Sequence, residues 1–415
     1  MTASVIEAQA AALALVARVE EVEVALDEAL GRVLREEVRA ERDVPEEATS
    51  MMDGFAVRAA DLRGGRALLV VEESAAGRPS RRPLRAGEAA PISTGALLPP
   101  DADAVVPVEE TARTGPHVLA RIGLEAGAFV REPGAELHRG ELVLAAGGAI
   151  DAAAMALLAA QGRARVRVAR APSVAILSTG AEVRAVGAVR GAGDVYDANG
   201  PALAALVTQA GGVPRRGPIV ADELAAVVAA ISAARAADLI VLSGAVSAGA
   251  HDHARAALEQ LGADVVLQRV AMKPGKPLTL ARLGTTPIVG LPGNPVSAQV
   301  GFRLFVRPMI RALLGARPHD DAIAVEVRLA EPFEIETDRP TYLRATVRAR
   351  QSMLVATIAA RQHSAAAIST RDANAFVIVP PGRHAFAAEA LLPALLLGPL
   401  AGGDADEADQ PSTIS

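Results

Sequence analysis

Residues 271–298 read AMKPGKPLTLARLGTTPIVGLPGNPVSA, and the interpretation of the whole chain starts from this stretch. Lys273 and Lys276 bracket a Pro-Gly turn, and two short apolar strand patterns follow it. The second strand pattern ends in a Pro-Gly-Asn-Pro turn, where a helix pattern begins. Asn294 is predicted to cap that helix and Pro295 to be its first residue, where the missing N–H costs nothing. Unpaired N–H groups at a helix start, beside two ammonium groups, predict a binding site for an anion.

Composition limits the classes of function. A chain of 415 residues is expected to form roughly two to four domains. The absence of cysteine excludes disulfides and thiolate metal sites. A net charge of −6 argues against general nucleic-acid binding. No apolar run reaches the roughly 18–20 residues of a membrane span, and the N-terminus lacks the basic region of a signal peptide. We therefore expect a soluble cytoplasmic protein with no membrane partner.

The N-terminal part of the chain mixes helix and strand patterns around a β-rich region. Between residues 66 and 144, short β-like runs alternate with Gly- and Pro-rich turns, which predicts a small β-rich module. The flanking patterns predict a helix at 4–18, a strand at 22–25, a helix at 26–34, a helix at 150–161 and a strand at 164–168.

From residue 173 to residue 315, strand and helix patterns alternate. Near-continuous apolar strands separated by helices predict a parallel sheet covered on both faces. Residues 323–396 are β-like and predict a separate small barrel or sandwich, and the acidic tail from residue 402 is predicted to be disordered. The central strands are predicted at 174–177, 213–220, 239–242, 265–270 and 287–291, and the helices at 201–209, 222–236, 253–261 and 295–314.

Four of the central strands end in polar or glycine-rich turns. These turns are Ser-Thr-Gly at 178–180, a Ser/Gly loop at 243–249, the lysine turn at 273–277 and the turn at 292–295. Because the carboxyl ends of parallel strands lie along one edge, we expect the four turns to form one pocket. Its N–H, hydroxyl and ammonium donors suit phosphate or another oxyanion. Each turn alone is weak evidence, since lysines are usually solvated and none matches a known nucleotide fingerprint.

Five carboxylates accompany these turns: Asp53, Glu182, Asp194, Asp197 and Asp252. Carboxylates beside a phosphate pocket typically hold a divalent cation, most often Mg²⁺. A simpler interpretation is that Glu182 and Asp252 cap helices, which they could do in addition to holding a cation. Asp252 stands between two histidines, but adjacent residues cannot all face one ion, so we interpret those histidines as surface residues.

Seven motifs occur in a characteristic order. They are SMMDGFAVR at 50–58, PISTGALLP at 91–99 with DADAVVPVEE at 101–110, LSTGAEV at 177–183, VYDANG at 195–200, LSGAVSAGAHD at 242–252, KPGKP at 273–277 and GLPGNPVSA at 290–298. Together they resemble the molybdopterin molybdenumtransferases, which are the MoeA proteins and the E domain of gephyrin. The resemblance covers about residues 1–400.

The resemblance implies an α/β multidomain fold with a central three-layer, parallel-sheet domain. An N-terminal linker domain would comprise residues 1–52 and 128–170, and a small β-rich module residues 53–127. The α/β molybdopterin-binding domain would comprise 171–317, a C-terminal β-barrel domain 318–400 and a disordered tail 401–415.

The same resemblance implies an enzyme that takes adenylylated molybdopterin and molybdate, inserts molybdenum into the dithiolene and releases AMP with the help of Mg²⁺. Family members are elongated homodimers, so Asp53 of one chain and Lys273 of the other would share a composite site. Asp53, Glu182 and Asp252 would be catalytic, and Glu182 and Asp252 would also hold Mg²⁺. Four residues would lie near molybdate: Lys273, Lys276, Ser297 and Arg344. The other substrate-binding residues would be Thr94, Ser178, Thr179, Gly180, Asp197, Ser243, Gly244, Ser247, Gly249, Pro274, Gly275, Pro292, Gly293, Asn294, Pro295 and Ser364.

The chain departs from the family pattern at a few positions. Ala181 replaces an acid, and alanines stand at 245, 248 and 250, where the family usually has SGGVSVG followed by an acid. Glu136 replaces Asp, and Ala365-Ala366 replaces Ser-Arg. One alternative is therefore a paralogue of low activity that binds molybdopterin or serves as a scaffold. A second alternative, a protein that adenylylates molybdopterin, is disfavoured by the flanking modules and by the KPGKP and PGNP turns.

Overall fold

A computed structural model of the chain describes residues 2–244, 253–317, 324–350 and 352–401. Ser247, Gly249 and Asp252 lie outside the described residues, as do the three alanines at 245, 248 and 250 and the tail from residue 402. The α-helices are α1 (Val5–Ala14), α2 (Ala152–Ala160), α3 (Asn199–Gln209), α4 (Leu224–Ala233), α5 (His253–Gln260), α6 (Pro295–Gly301) and α7 (Arg307–Leu314). Within the described part, no helix is long and apolar enough to cross a membrane.

Strands are numbered in chain order. The first eleven are β1 (Glu21–Ala25), β2 (Val38–Arg39), β3 (Thr49–Ser50), β4 (Gly54–Val57), β5 (Leu68–Val70), β6 (Glu88–Ile92), β7 (Ala104–Pro107), β8 (Thr111–Thr114), β9 (His117–Ala120), β10 (Val130–Arg131) and β11 (Leu142–Leu144). The next nine are β12 (Arg165–Ala169), β13 (Ser173–Ser178), β14 (Val183–Arg184), β15 (Val195–Tyr196), β16 (Val213–Arg216), β17 (Leu239–Ser243), β18 (Asp264–Arg269), β19 (Pro277–Leu283) and β20 (Thr286–Leu291). The last seven are β21 (Ala324–Leu329), β22 (Phe333–Thr337), β23 (Thr341–Arg350), β24 (Met353–Ile358), β25 (Ala375–Val379), β26 (Gly382–Phe386) and β27 (Leu391–Leu396).

The chain separates into two compact units, each described here by itself. The small unit comprises Glu37–Ala145 and Ala156–Ala164, and the large unit comprises the remaining residues. The large unit contains the six-stranded α/β sheet and the C-terminal barrel, and the small unit contains a six-stranded β-sheet. The finer division into an N-terminal linker domain, a β-rich module, an α/β domain and a barrel domain stays a prediction.

A six-stranded sheet forms the centre of the large unit, with strand order β16-β13-β17-β20-β19-β18. Its central strands β13, β17 and β20 are buried along nearly their whole length because both faces are covered by helices. On β17, Leu239 and Val241 pack with α3, α6 and α7 on one face, while Ile240 and Leu242 pack with α4 and α5 on the other. This alternation follows from the two-residue repeat of a strand and gives the predicted three layers.

The sheet is mixed, so the prediction of a wholly parallel sheet is wrong for one strand. β16, β13, β17 and β20 are parallel neighbours, but β19 runs antiparallel to both β20 and β18. The reason is the connection between β19 and β20, which is only Gly284-Thr285. A two-residue loop can join only antiparallel strands. β18 is antiparallel to β19, and β19 is antiparallel to β20, so β18 runs in the same direction as β20. Its carboxyl end therefore lies at the same sheet edge as those of β13, β17 and β20.

Two predicted helices differ from the observed ones in an instructive way. The helix predicted at 26–34 is wrong: only a 3-10 turn forms at Leu26–Glu28, and Gly31 follows with a φ of 75°. The helix predicted at 295–314 is interrupted by a π-helical segment at Phe302–Val306. Pro308 cannot donate to the carbonyl of Leu304, and the Gln9 side chain donates to that carbonyl instead, at 3.1 Å. The segment therefore widens where proline removes a helical hydrogen bond.

The C-terminal part is a closed barrel, which resolves the predicted choice between barrel and sandwich. Its strand order is β21-β24-β23-β25-β27, and β22 pairs separately with β26. On β23, alternate side chains such as Leu343, Ala345 and Val347 fill the barrel. Tyr342 and Arg344 therefore lie on the outer side of β23, and Tyr342 packs into the core formed with the α/β sheet.

The small unit is organised around a six-stranded sheet with the order β7-β4-β6-β5-β9-β8. Both faces of β4 are buried, because Phe55 and Val57 pack into one apolar cluster and Ala56 into another. Gly54 begins this strand, directly after Asp53. A Cβ atom at position 54 would lie 2.0 Å from the carbonyl oxygen of Val106 on β7, so only glycine fits there.

Replacing Gly54 with alanine should destabilise the small unit by about 3 kcal/mol, because the new methyl group forces β4 away from β7. Gly123→Ala is the matched control, since a Cβ atom at position 123 has no neighbour within 4 Å, and we expect it to change stability by less than about 0.5 kcal/mol. Urea unfolding followed by circular dichroism measures both variants. Equal unfolding midpoints for the two would contradict the argument.

Candidate functional site

A cavity of about 1280 Å³ lies in the large unit, lined by the carboxyl edge of the α/β sheet and by loops of the barrel. The strand-end turns predicted from the sequence meet here, as expected. The predicted residues that line the cavity are Ser178, Thr179, Glu182, Asp197, Ser243, Gly244, Lys273, Pro274, Gly275, Lys276, Pro292, Gly293, Asn294, Pro295, Ser297, Arg344 and Ser364.

Some predicted site residues are not among those lining the cavity. Gly180 lies next to the lining residue Thr179 and adopts a φ of 145°. Asp53 and Thr94 belong to the small unit. Asp194 makes its contacts within its own loop: its carboxylate forms an ion pair with Arg184 at 2.9 Å and accepts a hydrogen bond from the Gly191 N–H at 2.8 Å.

Several lining residues were missed from the sequence: Tyr196, Asn199, Asp338, Arg339, Tyr342, Gln362 and His363. Asn199 and Tyr196 stand in the VYDANG motif, and Asp338 and Arg339 in the Asp-Arg-Pro turn directly before β23, so their positions carried a signal. A second signal was available in the composition. Of the chain's 42 lysine and arginine residues, only Lys273 and Lys276 are lysine, and both line this cavity.

Asn199, at the start of α3, links two of the strand-end turns, and a backbone bond connects a third. Its side-chain amide donates to the Ser243 hydroxyl at 2.9 Å and to the Gly293 carbonyl at 2.8 Å. The Thr179 N–H donates to the Ser243 carbonyl at 2.8 Å, so the first turn joins the same network. These bonds fix the spacing of the turns and thereby the shape of the cavity wall.

Asp197 is a buried carboxylate whose oxygens are already occupied. One oxygen accepts from the Gly200 N–H at 2.8 Å, and the other from the Ser178 hydroxyl at 3.1 Å and from Arg216 at 3.4 Å. Burial of a carboxylate requires such partners. Asp197 therefore orients the start of α3, and with it Asn199, and its contacts leave it poorly suited to hold a metal ion.

The lysine turn is held by the barrel. The Lys273 N–H donates to the Pro340 carbonyl at 2.9 Å, and the Tyr342 N–H donates to the Lys273 carbonyl at 2.8 Å. Gly275 adopts a φ of 104°, and a Cβ atom there would lie 2.5 Å from the methyl group of Met272. The turn and the outer edge of β23 thus form one surface, which places Lys273 and Arg344 in the same cavity.

Positive charge in the cavity is only partly neutralised. Arg339 forms a two-pronged ion pair with Asp338, and the pKa of Asp338 is lowered chiefly by this partner. Among the described residues, neither Lys273 nor Lys276 has a carboxylate oxygen within 4 Å, and both side chains are exposed to the cavity. Two ammonium groups therefore face the cavity without a bound counter-charge from the described chain.

Arg344 adds a third positive charge, and it is almost completely buried, at 1 % exposure. Within the described part of the chain, its guanidinium donates only to neutral acceptors: the Ser369 hydroxyl at 3.0 Å and the carbonyls of Arg361 and His363 at 2.9 and 3.3 Å. Desolvation lowers the pKa of Arg344 from its ordinary value. A buried charge without an opposite charge is costly, so the cavity is built to receive an anion beside it.

The start of α6 is arranged differently from the predicted cap. Asn294 occupies the N-cap position, but its side chain makes no capping bond and instead donates to the Ser364 hydroxyl at 3.0 Å. The Val296 N–H donates to the Ser364 carbonyl at 3.1 Å. The PGNP turn therefore uses its donors to hold the barrel loop around Ser364 against the cavity, and Asn294 is less available to a ligand than the sequence indicated.

Glu182 is the carboxylate of the cavity that is available to a ligand. It caps no helix, it is exposed, and within the described ranges its carboxylate has no hydrogen-bond or ion-pair partner. No three His, Asp or Glu side chains in those ranges lie close enough to hold a metal by themselves. Mg²⁺ is typically bound through one or two carboxylates together with substrate phosphates. A single free carboxylate beside an anion pocket fits that pattern.

In the small unit, Asp53 and Thr94 contact each other directly. One Asp53 oxygen accepts from the Thr94 N–H at 2.7 Å and from its hydroxyl at 3.0 Å. These bonds, the backbone one first, lower the pKa of Asp53, so its carboxylate is ionised at neutral pH. The other predicted feature of this unit, Glu136, forms an ion pair with Arg131.

The chain is similar to known protein families over most of its length. Three family models match consecutive parts of it: the MoeA N-terminal region (domain I and II) at residues 3–162, a probable molybdopterin binding domain at 175–312 and the MoeA C-terminal region (domain IV) at 326–395. The molybdopterin molybdenumtransferase of Nostoc sp. is 37 % identical over 362 residues, covering 85 % of this chain and 83 % of the relative. The chain belongs to the molybdopterin molybdenumtransferase family.

Further relatives agree with that assignment. The molybdopterin molybdenumtransferase of Bacillus subtilis is 34 % identical over 385 residues, covering 90 % of this chain and 89 % of the relative. The crystal structure of a molybdopterin biosynthesis MoeA protein from Pyrococcus horikosii superposes with a TM-score of 0.82 at 29 % identity, covering 96 % of this chain and all of that one. The fold predicted from the sequence motifs is thereby confirmed.

Proposed function

We propose that this transferase inserts molybdenum from molybdate into adenylylated molybdopterin and releases AMP, in the last step of molybdenum cofactor biosynthesis. The observation that supports this most directly is the cavity at the strand ends, where Arg344 is buried. Among the described residues, Arg344, Lys273 and Lys276 have no carboxylate partner there. Three positive charges in one partly enclosed space suit a tetrahedral oxyanion next to a phosphate-bearing substrate. The cavity volume of about 1280 Å³ is sufficient for a ligand of that size.

Magnesium is part of the proposal, with Glu182 as the described residue that would hold it and Asp252 as the second predicted ligand. When bound, Mg²⁺ supplies charge neutralisation at the phosphates of the substrate. The chain itself supplies the rest: Lys273, Lys276 and Arg344 hold and orient the oxyanion, and Asn199 fixes the turns that surround the substrate. A leaving AMP phosphate would then depart from a site already rich in cationic donors.

The proposal further includes a homodimer in the cytoplasm. Asp53 and Thr94, which form a preorganised carboxylate in the small unit, would then complete the cavity of a second chain. This would give each site an ionised carboxylate in addition to Glu182.

The test is an AMP-release assay with the purified protein, adenylylated molybdopterin, molybdate and Mg²⁺. We expect AMP release that depends on both molybdate and Mg²⁺. The alternative of a molybdopterin-binding scaffold predicts tight binding with no AMP release, and that result would overturn the proposal. Consumption of ATP with unmodified molybdopterin would instead support the adenylylating alternative.

Lys276→Ala should raise the molybdate concentration for half-maximal AMP release by ten-fold or more and change molybdopterin affinity less than about two-fold. The reason is that a lost charge-assisted hydrogen bond costs about 1.5–3 kcal/mol, and this ammonium is assigned to the oxyanion. Lys276→Arg keeps the charge but replaces a compact ammonium by a planar fork, so it should restore molybdate use only in part. Arg383→Ala, at an exposed position of β26, is the control. Equal loss of both affinities would contradict the assignment.

A further inference from the structure

One wall of the cavity has a different chemical character from the cationic part. The loop between β13 and α3 contributes Val183, Val195 and Tyr196 to the lining. These side chains are apolar or aromatic and partly exposed, in a chain with only 2 % aromatic residues. The cavity thus combines a region of positive charge with an apolar region that includes an aromatic ring.

The Tyr196 ring is held in a fixed orientation. Its hydroxyl donates to the Ala188 carbonyl at 3.0 Å, and the guanidinium of Arg190 covers the ring with its central carbon 4.7 Å from the ring centroid. Tyr196 nevertheless remains 42 % exposed, so ring surface is available beyond the part that Arg190 covers. An aromatic side chain with one face supported by a cation and the remainder exposed in a cavity is suited to stacking.

The loop that carries the ring is internally braced. Arg184 binds Asp194 at 2.9 Å and donates to the Ala181 carbonyl at 2.7 Å. β14 and β15 pair in parallel, with Arg184 opposite Tyr196. The platform is therefore preorganised, and a ligand that stacks on it does not have to order the loop first.

We propose that Tyr196 is the stacking platform for a planar heterocycle of the substrate, a purine or a pterin, with Val183 and Val195 packing beside it. This inference rests on the proposed function, since the substrate named there carries both ring systems together with phosphate. The apolar wall then binds the ring, while Lys273, Lys276 and Arg344 bind anionic groups. The two ring systems share planar aromatic chemistry, and the experiment distinguishes them.

The chain offers a direct readout, because it has no tryptophan and two tyrosines, Tyr196 and Tyr342, which both line the cavity. In a Tyr342→Phe background, the emission of Tyr196 is the only tyrosine signal. Within the described residues the Tyr342 hydroxyl has no hydrogen-bond partner, so its removal breaks no bond. AMP and a soluble pterin are titrated separately, and we expect at least one of them to quench Tyr196 in a saturable way.

Affinity for the quenching heterocycle is then measured by equilibrium dialysis in the otherwise unmodified chain. Tyr196→Ala should bind about ten-fold more weakly or worse, as expected for loss of a ring–base stack. Tyr196→Phe keeps the ring and loses only the bond to the Ala188 carbonyl, so it should bind more tightly than Tyr196→Ala. Val189→Thr is the control, because Val189 is in the same loop, is 95 % exposed and does not line the cavity. Saturable quenching with unchanged dialysis affinity in Tyr196→Ala would overturn the inference, as would no saturable quenching by either ligand.

The failure of this inference and that of the proposed function can be told apart. If the parent protein releases AMP while Tyr196→Ala binds both heterocycles normally, only the stacking platform is wrong. If Tyr196→Ala loses heterocycle binding but the parent releases no AMP, stacking on Tyr196 is supported and the proposed transferase activity is contradicted.

Discussion

Glu182→Gln should lower the rate of AMP release by about a hundred-fold or more, without reducing the stability of the protein. Loss of even an indirect metal contact typically costs 10- to 100-fold in metal affinity or activity, and the carboxylate of Glu182 is assigned to the ion itself. Among the described residues this carboxylate has no partner, so the amide leaves no donor unsatisfied in the fold. The substitution changes charge but hardly changes size.

The measurement is AMP release as a function of Mg²⁺ concentration, with thermal unfolding recorded in parallel. A metal role requires that the Mg²⁺ concentration for half-maximal activity rises in Glu182→Gln, while binding of molybdopterin is kept. Glu331→Gln is the matched control, since Glu331 is an exposed glutamate of the large unit that does not line the cavity. An unchanged rate with an unchanged Mg²⁺ dependence would remove Glu182 from the proposed site.

Much of the fold could be read from the apolar runs of the central strands. A strand such as β17, buried on both faces, has no polar alternation, and this pattern is distinctive over five or six residues. The sequence-based prediction was wrong at two places, where one or two residues of a turn decide the structure against the hydrophobic pattern around them. The Gly284-Thr285 turn forces an antiparallel hairpin on a sheet that otherwise looks parallel, and Gly31 stops a helix that periodicity alone would extend.

The site was predictable as a collection of turns but not as a set of contacts. The strand ends had to meet at one edge, so Ser178, Ser243 and Lys273 could be grouped from the sequence. The hydrogen bonds and the burial of each side chain depend on residues that are distant in the chain. Asn294 looks like a cap, yet Ser364 of the barrel takes its amide, and the burial of Arg344 depends on which face of β23 it occupies.

Arg344→Met should abolish the stabilisation that molybdate gives to the protein. A ligand present at 100 times its dissociation constant stabilises the folded state by about 2.7 kcal/mol, and in the parent protein this appears as a rise in the unfolding temperature. The guanidinium of Arg344 is buried, and its partners among the described residues are all neutral acceptors, so the bound anion would be its charge partner. Without the guanidinium, molybdate must enter the buried end of the cavity with its charge uncompensated there, which is unfavourable.

The stability of the ligand-free variant makes this prediction specific. Methionine removes a desolvated charge but leaves the Ser369 hydroxyl and the carbonyls of Arg361 and His363 without their donor. These effects oppose each other, so the ligand-free unfolding temperature should move by only a few degrees, while the molybdate-dependent shift disappears. Arg383→Met, at an exposed arginine of β26, is the control and should keep the full shift. If Arg344→Met unfolds like the parent and still gains the full stabilisation from molybdate, the anion binds elsewhere, and the buried guanidinium serves only to hold the barrel loop from Arg361 to Ser369.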